Sequence, residues 1–154
     1  MHFDIQKDLN KSLESEVLGE QLFATAARFS VNKTRRQKWQ TLRQLETQTK
    51  NRLWQYLAET QQYARTKPFI RLEATVSGFA LACLPWKISM SLLERGTLPF
   101  LATFTRLEQH GKSDELDFFS YMTTHEQAIQ KFAQLEKQGK GDSSLHAVLN
   151  LLQP

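Results

Sequence analysis

The sequence predicts an all-α protein, and three observations support this fold class. Apolar residues recur at the 3.6-residue period of a helix in several long segments, and no segment of useful length alternates apolar and polar residues as a strand does. With 154 residues and no pair of cysteines, the chain is long enough to bury a core without disulfides. We therefore expect residues 1–154 to form a single helical domain.

The first two predicted helices form a long antiparallel hairpin. The first extends from about residue 4 or 7 to Phe29, residues 30–34 form the turn, and the second extends from about Thr34 to Tyr63. Residues that face each other across this turn have numbers adding up to about 66. Glu20 should therefore lie opposite Glu46.

Glu20 and Glu46 each occupy the middle of an amphipathic stripe, where an apolar residue is expected. Two carboxylates that face each other between helices must share a proton, find cationic or hydrogen-bonding partners, or bind a metal. This pair is therefore the most informative feature of the sequence.

The rest of the chain also has helical spacing. Between residues 69 and 96 the pattern is interrupted at Pro85, which predicts a kinked or broken crossing segment. Gly96, Thr97 and Pro99 then predict the start of another helix, which continues to about His110. A last long helix over about 115–138 and a short C-terminal helix from Asp142 or Ser143 complete the prediction.

This arrangement resembles the ferritin-like superfamily, which includes ferritins and rubrerythrins. The resemblance covers roughly residues 14–138 and rests on a hairpin, a crossing segment and a second hairpin, with acidic residues facing inward. It implies an up-down bundle of about four long helices. In that family two helices each supply a Glu, and two others each supply a Glu-x-x-His pair, around two iron or manganese ions.

Compared position by position with the metal ligands of that family, this sequence matches at some positions and differs at two. Glu20 matches the lone Glu of the first helix, and Glu46 matches the Glu of the second. Thr49 stands where the family has His on the second helix, and Met122 stands where the family has Glu before His125. Glu126, which follows His125, would have to supply the carboxylate ligand that Met122 lacks. The implied ligands of one divalent ion, and not of two, are Glu20, Glu46, His125 and Glu126.

Carboxylates with one imidazole suit iron(II), manganese or zinc. The alternative is that Glu20 and Glu46 are remnants of such a site, satisfied by neighbouring side chains or buried water. The protein would then be a non-enzymatic structural or interaction module without metal. The sequence leaves open whether the protein is an enzyme.

The most apolar segment, 74–93, contains Pro85 and Lys87, which argues against a membrane span. We expect this segment to be buried, with a homo-oligomeric contact such as a dimer as the alternative. Its lone cysteine, Cys83, should also be buried.

The net charge is +4, and the basic residues cluster around the first turn. No nucleic-acid-binding motif accompanies them, so we interpret the cluster as a solvated hairpin end and expect no nucleic-acid partner. The N-terminal residues include no apolar signal core, which predicts a cytoplasmic location.

Overall fold

The structure, a computed structural model, describes residues 4–152. Over this part of the chain the secondary structure consists of helices without a strand, which confirms the all-α prediction. No helix among these residues is long and apolar enough to cross a membrane. The helices are α1 (Ile5–Phe29), α2 (Lys33–Glu59), α3 (Ile70–Cys83), α4 (Trp86–His110), α5 (Leu116–Lys137) and α6 (His146–Leu151).

Side-chain caps fix the starts of the first two helices. The Asp4 carboxylate accepts a hydrogen bond from the Lys7 backbone N–H, and the Asn32 side chain accepts one from the N–H of Arg35, at 3.0 Å. Both caps satisfy N–H groups that have no partner inside their helix. The second helix ends at Glu59 and not at Tyr63, because Gln61 adopts a left-handed backbone conformation with φ of 54°.

The register predicted for the hairpin is confirmed. Glu20 accepts a hydrogen bond from the Thr47 hydroxyl at 2.7 Å, and Gly19 lies against the Glu46 side chain. Glu20 and Glu46 therefore lie at the same level of the hairpin. Their carboxylates have different surroundings, which matters for the site described below.

The predicted break at Pro85 is confirmed, whereas the predicted helix start near Thr97 is wrong. Helix α3 ends at Cys83 and α4 begins at Trp86, because the residue before a proline is pushed out of the helical conformation. Helix α4 then continues through Pro99. A proline removes only one backbone hydrogen bond, and the buried face of α4 continues across it from Leu93 and Thr97 to Phe104.

The long helices pack in pairs. Helix α1 packs along α2 on one side and along α3 on another, and α4 packs along α5. Contacts of α1 with α4 and of α2 with α5 join the pairs, and α6 lies against α2 and α5. Helix α3 thus has α1 as its main neighbour.

Two apolar clusters form the core. One contains Trp39 and Phe132, and the other contains Phe104 and Phe119. On α2 and α5, the buried residues that lie between the two clusters along the helix are polar: Glu46, Thr49, Thr123, His125 and Glu126. The buried Glu16 of α1 faces His125 and joins them. A buried polar layer therefore lies between the two apolar parts of the core.

The expectation that the middle segment is buried is wrong for several of its apolar residues. Val76, Phe79 and Ile88 are 63%, 48% and 49% exposed, and Cys83 is exposed as well. The side of α3 that faces α1 packs closely, since a Cβ added to Gly78 would lie 2.4 Å from a backbone oxygen of α1. With one main neighbour, α3 leaves its opposite face uncovered.

Candidate metal centre

Three helices each contribute a buried ionisable side chain to one cluster in the polar layer. Glu16 comes from α1, Glu46 from α2 and His125 from α5. Each lies on the buried stripe of its helix, and Glu16 and His125 have no exposed surface. The helical period that buries the apolar neighbours of these residues also forces their polar groups inward.

The three side chains are close enough to share one ion. His125 Nε2 lies 3.8 Å from Glu16 Oε2 and 3.4 Å from Glu46 Oε2, and one ligand atom from each residue lies within 4.8 Å of the others. Tetrahedral ligands bound at about 2.1 Å are about 3.4 Å apart. The separations at His125 therefore suit a single first-row metal ion after small side-chain shifts.

These polar atoms are not satisfied by the protein. Both oxygens of Glu16, Glu46 Oε2 and both ring nitrogens of His125 are buried and have no hydrogen-bond partner within residues 4–152. Burying such a group without a partner costs about 1–3 kcal/mol. Three of these atoms, one each from Glu16, Glu46 and His125, lie near one point, where a bound cation would satisfy them.

Burial and mutual repulsion raise the pKa of two carboxyls in this layer. Burial raises the pKa of Glu16 well above its ordinary value, and the charge of Glu46 raises it further. The pKa of Glu126 is raised well above the ordinary value for the same two reasons, with burial the larger. A divalent cation would reverse this effect, because it favours the ionised form of every carboxylate near it.

Glu126 lies on the other side of the imidazole. Its Oε2 is 4.0 Å from His125 Nδ1, whereas Glu16 and Glu46 face Nε2. A histidine that binds metal through one ring nitrogen commonly donates the other N–H to a carboxylate, which fixes the tautomer and the ring orientation. Glu126 faces Nδ1, but at 4.0 Å the two atoms are not hydrogen-bonded, and the carboxyl would have to approach by about 1 Å to orient His125 in this way.

A glycine makes room for the central carboxylate. A Cβ added to Gly19 of α1 would lie 2.5 Å from both Cδ and Oε1 of Glu46. Glycine in the middle of a helix costs about 1 kcal/mol relative to alanine. Gly19 therefore makes α1 slightly less stable, but it leaves the space in which the Glu46 carboxylate lies against the α1 backbone.

The structure brings together three of the four predicted ligands. Glu46, His125 and Glu126 meet in the polar layer, whereas Glu20 accepts a hydrogen bond from Lys50 Nζ at 2.6 Å and one from Thr47. Although partial burial opposes the change, these two donors lower the pKa of Glu20 below its ordinary value. Glu20 already has a cation, and it is the carboxylate of Glu16 that faces His125.

Glu16 was missing from the predicted ligand set. It lies four residues before Glu20 on the same stripe of α1, so the helical period places it on the same face one turn away. The signal was thus present in the sequence. The ion pair that the half-buried Lys50 forms with Glu20 is what distinguishes the two carboxylates.

Glu136 shows how this protein satisfies a buried carboxylate that is not part of the site. It accepts hydrogen bonds from Lys38, from Trp86 Nε1 at 2.7 Å and from Ser144 Oγ at 2.6 Å. Burial alone would raise its pKa, but these donors outweigh burial and lower it. The unsatisfied carboxyls of the polar layer stand out against this example.

Comparisons with known proteins found no match: no protein-family model, no curated protein and no solved structure matches this chain.

Proposed function

We propose that the protein binds one divalent transition-metal ion, iron(II), manganese or zinc, at Glu16, Glu46 and His125. The observation that carries this proposal is the convergence of three buried side chains from three helices, whose facing atoms have no hydrogen-bond partner within residues 4–152. Two carboxylates and one neutral imidazole would balance the charge of a divalent ion. An ion of this class acts as a Lewis acid, and iron or manganese can also change oxidation state.

The chain's own residues have distinct parts in this proposal. Glu16 Oε2, Glu46 Oε2 and His125 Nε2 would be the ligand atoms, and Glu126 would hold the imidazole from the Nδ1 side. Gly19 leaves the space in which Glu46 reaches the centre. Three protein ligands are too few for a structural site, so exchangeable coordination positions would remain.

We infer in addition that the helices have the ferritin-like arrangement. The two packed pairs, α1 with α2 and α4 with α5, support this inference, as does helix α3, which follows the first pair and precedes the second in the chain. The polar layer in the middle of these pairs is where that family holds its metals. Because Glu-x-x-His is absent from both helices that should carry it, a site for one ion fits this chain better than a site for two.

Metal titration tests the proposal. Protein purified without a histidine tag and treated with chelator is titrated with cobalt(II), whose visible absorption reports coordination, and then with iron(II), manganese(II) and zinc(II) without oxygen. We expect one equivalent per chain. Removing one of three ligands should weaken binding by about a hundredfold or more in Glu16→Gln and in His125→Gln.

Glu20→Gln is the matched control. Glu20 is a glutamate on the same helix and one turn away, but it is paired with Lys50, so the affinity of this variant should equal that of the wild type. Binding that depends on Glu20 and not on Glu16 would contradict the ligand set. Binding of two equivalents would contradict a site for one ion, and no binding at all would overturn the proposal.

A second candidate function is an interaction module without enzymatic activity, in which the exposed face of α3 contacts a second copy of the chain. Four apolar residues spaced by three or four positions form this face, and their exposed fractions are 48–73%: Phe69, Leu72, Val76 and Phe79. A contiguous exposed apolar patch commonly marks a protein contact. Sedimentation velocity of the wild type and of Val76→Glu distinguishes a dimer formed by this face from a monomer.

A further inference from the structure

An apolar pocket leads from the surface to the polar layer. It has a volume of about 410 Å³, within the range of about 300–1,000 Å³ typical of small-molecule sites. Its walls come from α1, α3 and α4, and they include Leu18, Leu22, Leu81, Leu93 and Phe100. The pocket is open at the exposed Gly96, where no atom lies within 4 Å of the place where a Cβ would stand.

The inner end of the pocket is acidic. Glu46 and Glu126 line it there, and both side chains are buried. Of the Glu46 carboxyl, Oε2 faces His125 and has no hydrogen-bond partner among residues 4–152. Glu73 lines the pocket as well and is an exposed residue of α3. The described residues that form the lining include three glutamates and neither lysine nor arginine.

This combination selects for a particular kind of molecule. Apolar walls favour a hydrocarbon or aromatic body, and a buried carboxylate without a partner favours a positively charged hydrogen-bond donor at its end. An anionic head group would be repelled by every charged side chain of the lining. A neutral hydroxyl would gain a hydrogen bond without the charge assistance.

We infer that this pocket binds an organic cation that consists of a primary ammonium group on a small apolar body. The ammonium group lies at the acidic inner end of the pocket, against Glu46 and Glu126, and the apolar body lies between α1, α3 and α4. This inference does not rest on the proposed metal site, because its evidence is the pocket and its acidic end. The two cations share Glu46, so the amine is tested on metal-free protein.

Three probes with the same six-carbon chain isolate the head group: hexylamine, 1-hexanol and hexanoate. Their binding to chelator-treated protein is measured by isothermal titration calorimetry at neutral pH. We expect hexylamine to bind about tenfold or more tightly than 1-hexanol, as a charge-assisted hydrogen bond predicts, and hexanoate not to bind. Equal affinities, or preferred binding of hexanoate, would overturn the inference.

Variants and mapping locate the binding. Glu126→Gln should lower the affinity for hexylamine about tenfold and leave that for 1-hexanol unchanged. Glu59→Gln removes an exposed carboxylate of α2 that lies 13 residues, or about 20 Å, from Glu46, and it should change neither affinity.

In ¹⁵N-labelled protein, hexylamine should shift the amide resonances of Gly19 and Gly96, which line the pocket. Unshifted resonances, or an unchanged affinity in Glu126→Gln, would contradict this site. These measurements use metal-free protein, so amine binding can be detected even if the protein binds no metal. Metal binding can likewise be detected if the amine does not bind.

Discussion

Replacing Glu16 with methionine should stabilise the metal-free protein. Glu16 has no exposed surface, and neither of its oxygens has a hydrogen-bond partner within residues 4–152. Methionine has a similar volume and no polar group to satisfy, so Glu16→Met removes the cost of burying the carboxyl, about 1–3 kcal/mol. For a chain of this length each kcal/mol raises the Tm by about 2–4 °C.

The stability that Glu16→Met adds to the metal-free protein should increase with pH above 4.5. Because the pKa of Glu16 is raised in the folded protein, the folded state binds more protons than the unfolded state above the ordinary value of 4.5. The stability of the wild type therefore falls as the pH rises from 4.5 toward the raised pKa. The advantage of Glu16→Met should be smallest near pH 4.5 and should grow toward pH 8.

With metal bound, the wild type should be more stable than Glu16→Met. A ligand at one hundred times its Kd stabilises the folded state by about 2.7 kcal/mol, and the variant would lack one of three ligands. Thermal unfolding followed by circular dichroism, with chelator and with zinc(II), measures both effects. Glu136→Met is the control, because it removes a carboxylate that accepts three hydrogen bonds, and it should destabilise the protein under both conditions. A lower Tm for Glu16→Met with chelator would refute the reasoning, since Glu16 would then be a satisfied structural group.

Three further predictions use other parts of the structure. Gly19→Ala should leave the Tm nearly unchanged, because alanine favours the helix by about 1 kcal/mol but its Cβ displaces the Glu46 side chain. The same variant should bind cobalt(II) about tenfold more weakly in a titration. Leu42→Ala truncates a fully buried side chain and should cost about 2–5 kcal/mol in urea unfolding, more than Glu46→Ala does without metal. Lys38→Met should lower the free energy of unfolding by about 3 kcal/mol in the same assay, because Glu136 loses its cationic partner. An unchanged free energy would mean that the hydrogen bonds from Trp86 and Ser144 are enough to stabilise the buried Glu136 carboxylate.

The helices and their pairing in the first hairpin followed from local features of the sequence. Helical periodicity predicted α1 and α2, and the short turn between them fixed an antiparallel register that put Glu20 and Glu46 at one level. Pro85 marked the break between α3 and α4 because its effect acts on the residue directly before it. Pro99 has the same chemistry but lies inside a helix, since packing of the buried face of α4 outweighs one lost hydrogen bond.

The tertiary structure decided which acidic residues form the candidate centre. Sequence spacing places Glu16 and Glu20 on the same face of α1, and it cannot distinguish them, because they are one helical turn apart. The choice depends on partners from other helices: Lys50 of α2 pairs with Glu20, and His125 of α5 faces Glu16.

By itself the sequence determined that this protein is helical, where most of its helices begin and end, and that polar groups interrupt the apolar stripes of α1, α2 and α5. These properties depend on residues a few positions apart, whose relative placement the helix geometry fixes. Only the tertiary structure decided that Glu16 belongs to the polar layer, that a pocket reaches Glu46 and Glu126, and that one face of α3 is exposed. Each of these depends on contacts between residues far apart in the chain, and local periodicity does not encode which side chain of a distant helix meets a given carboxylate.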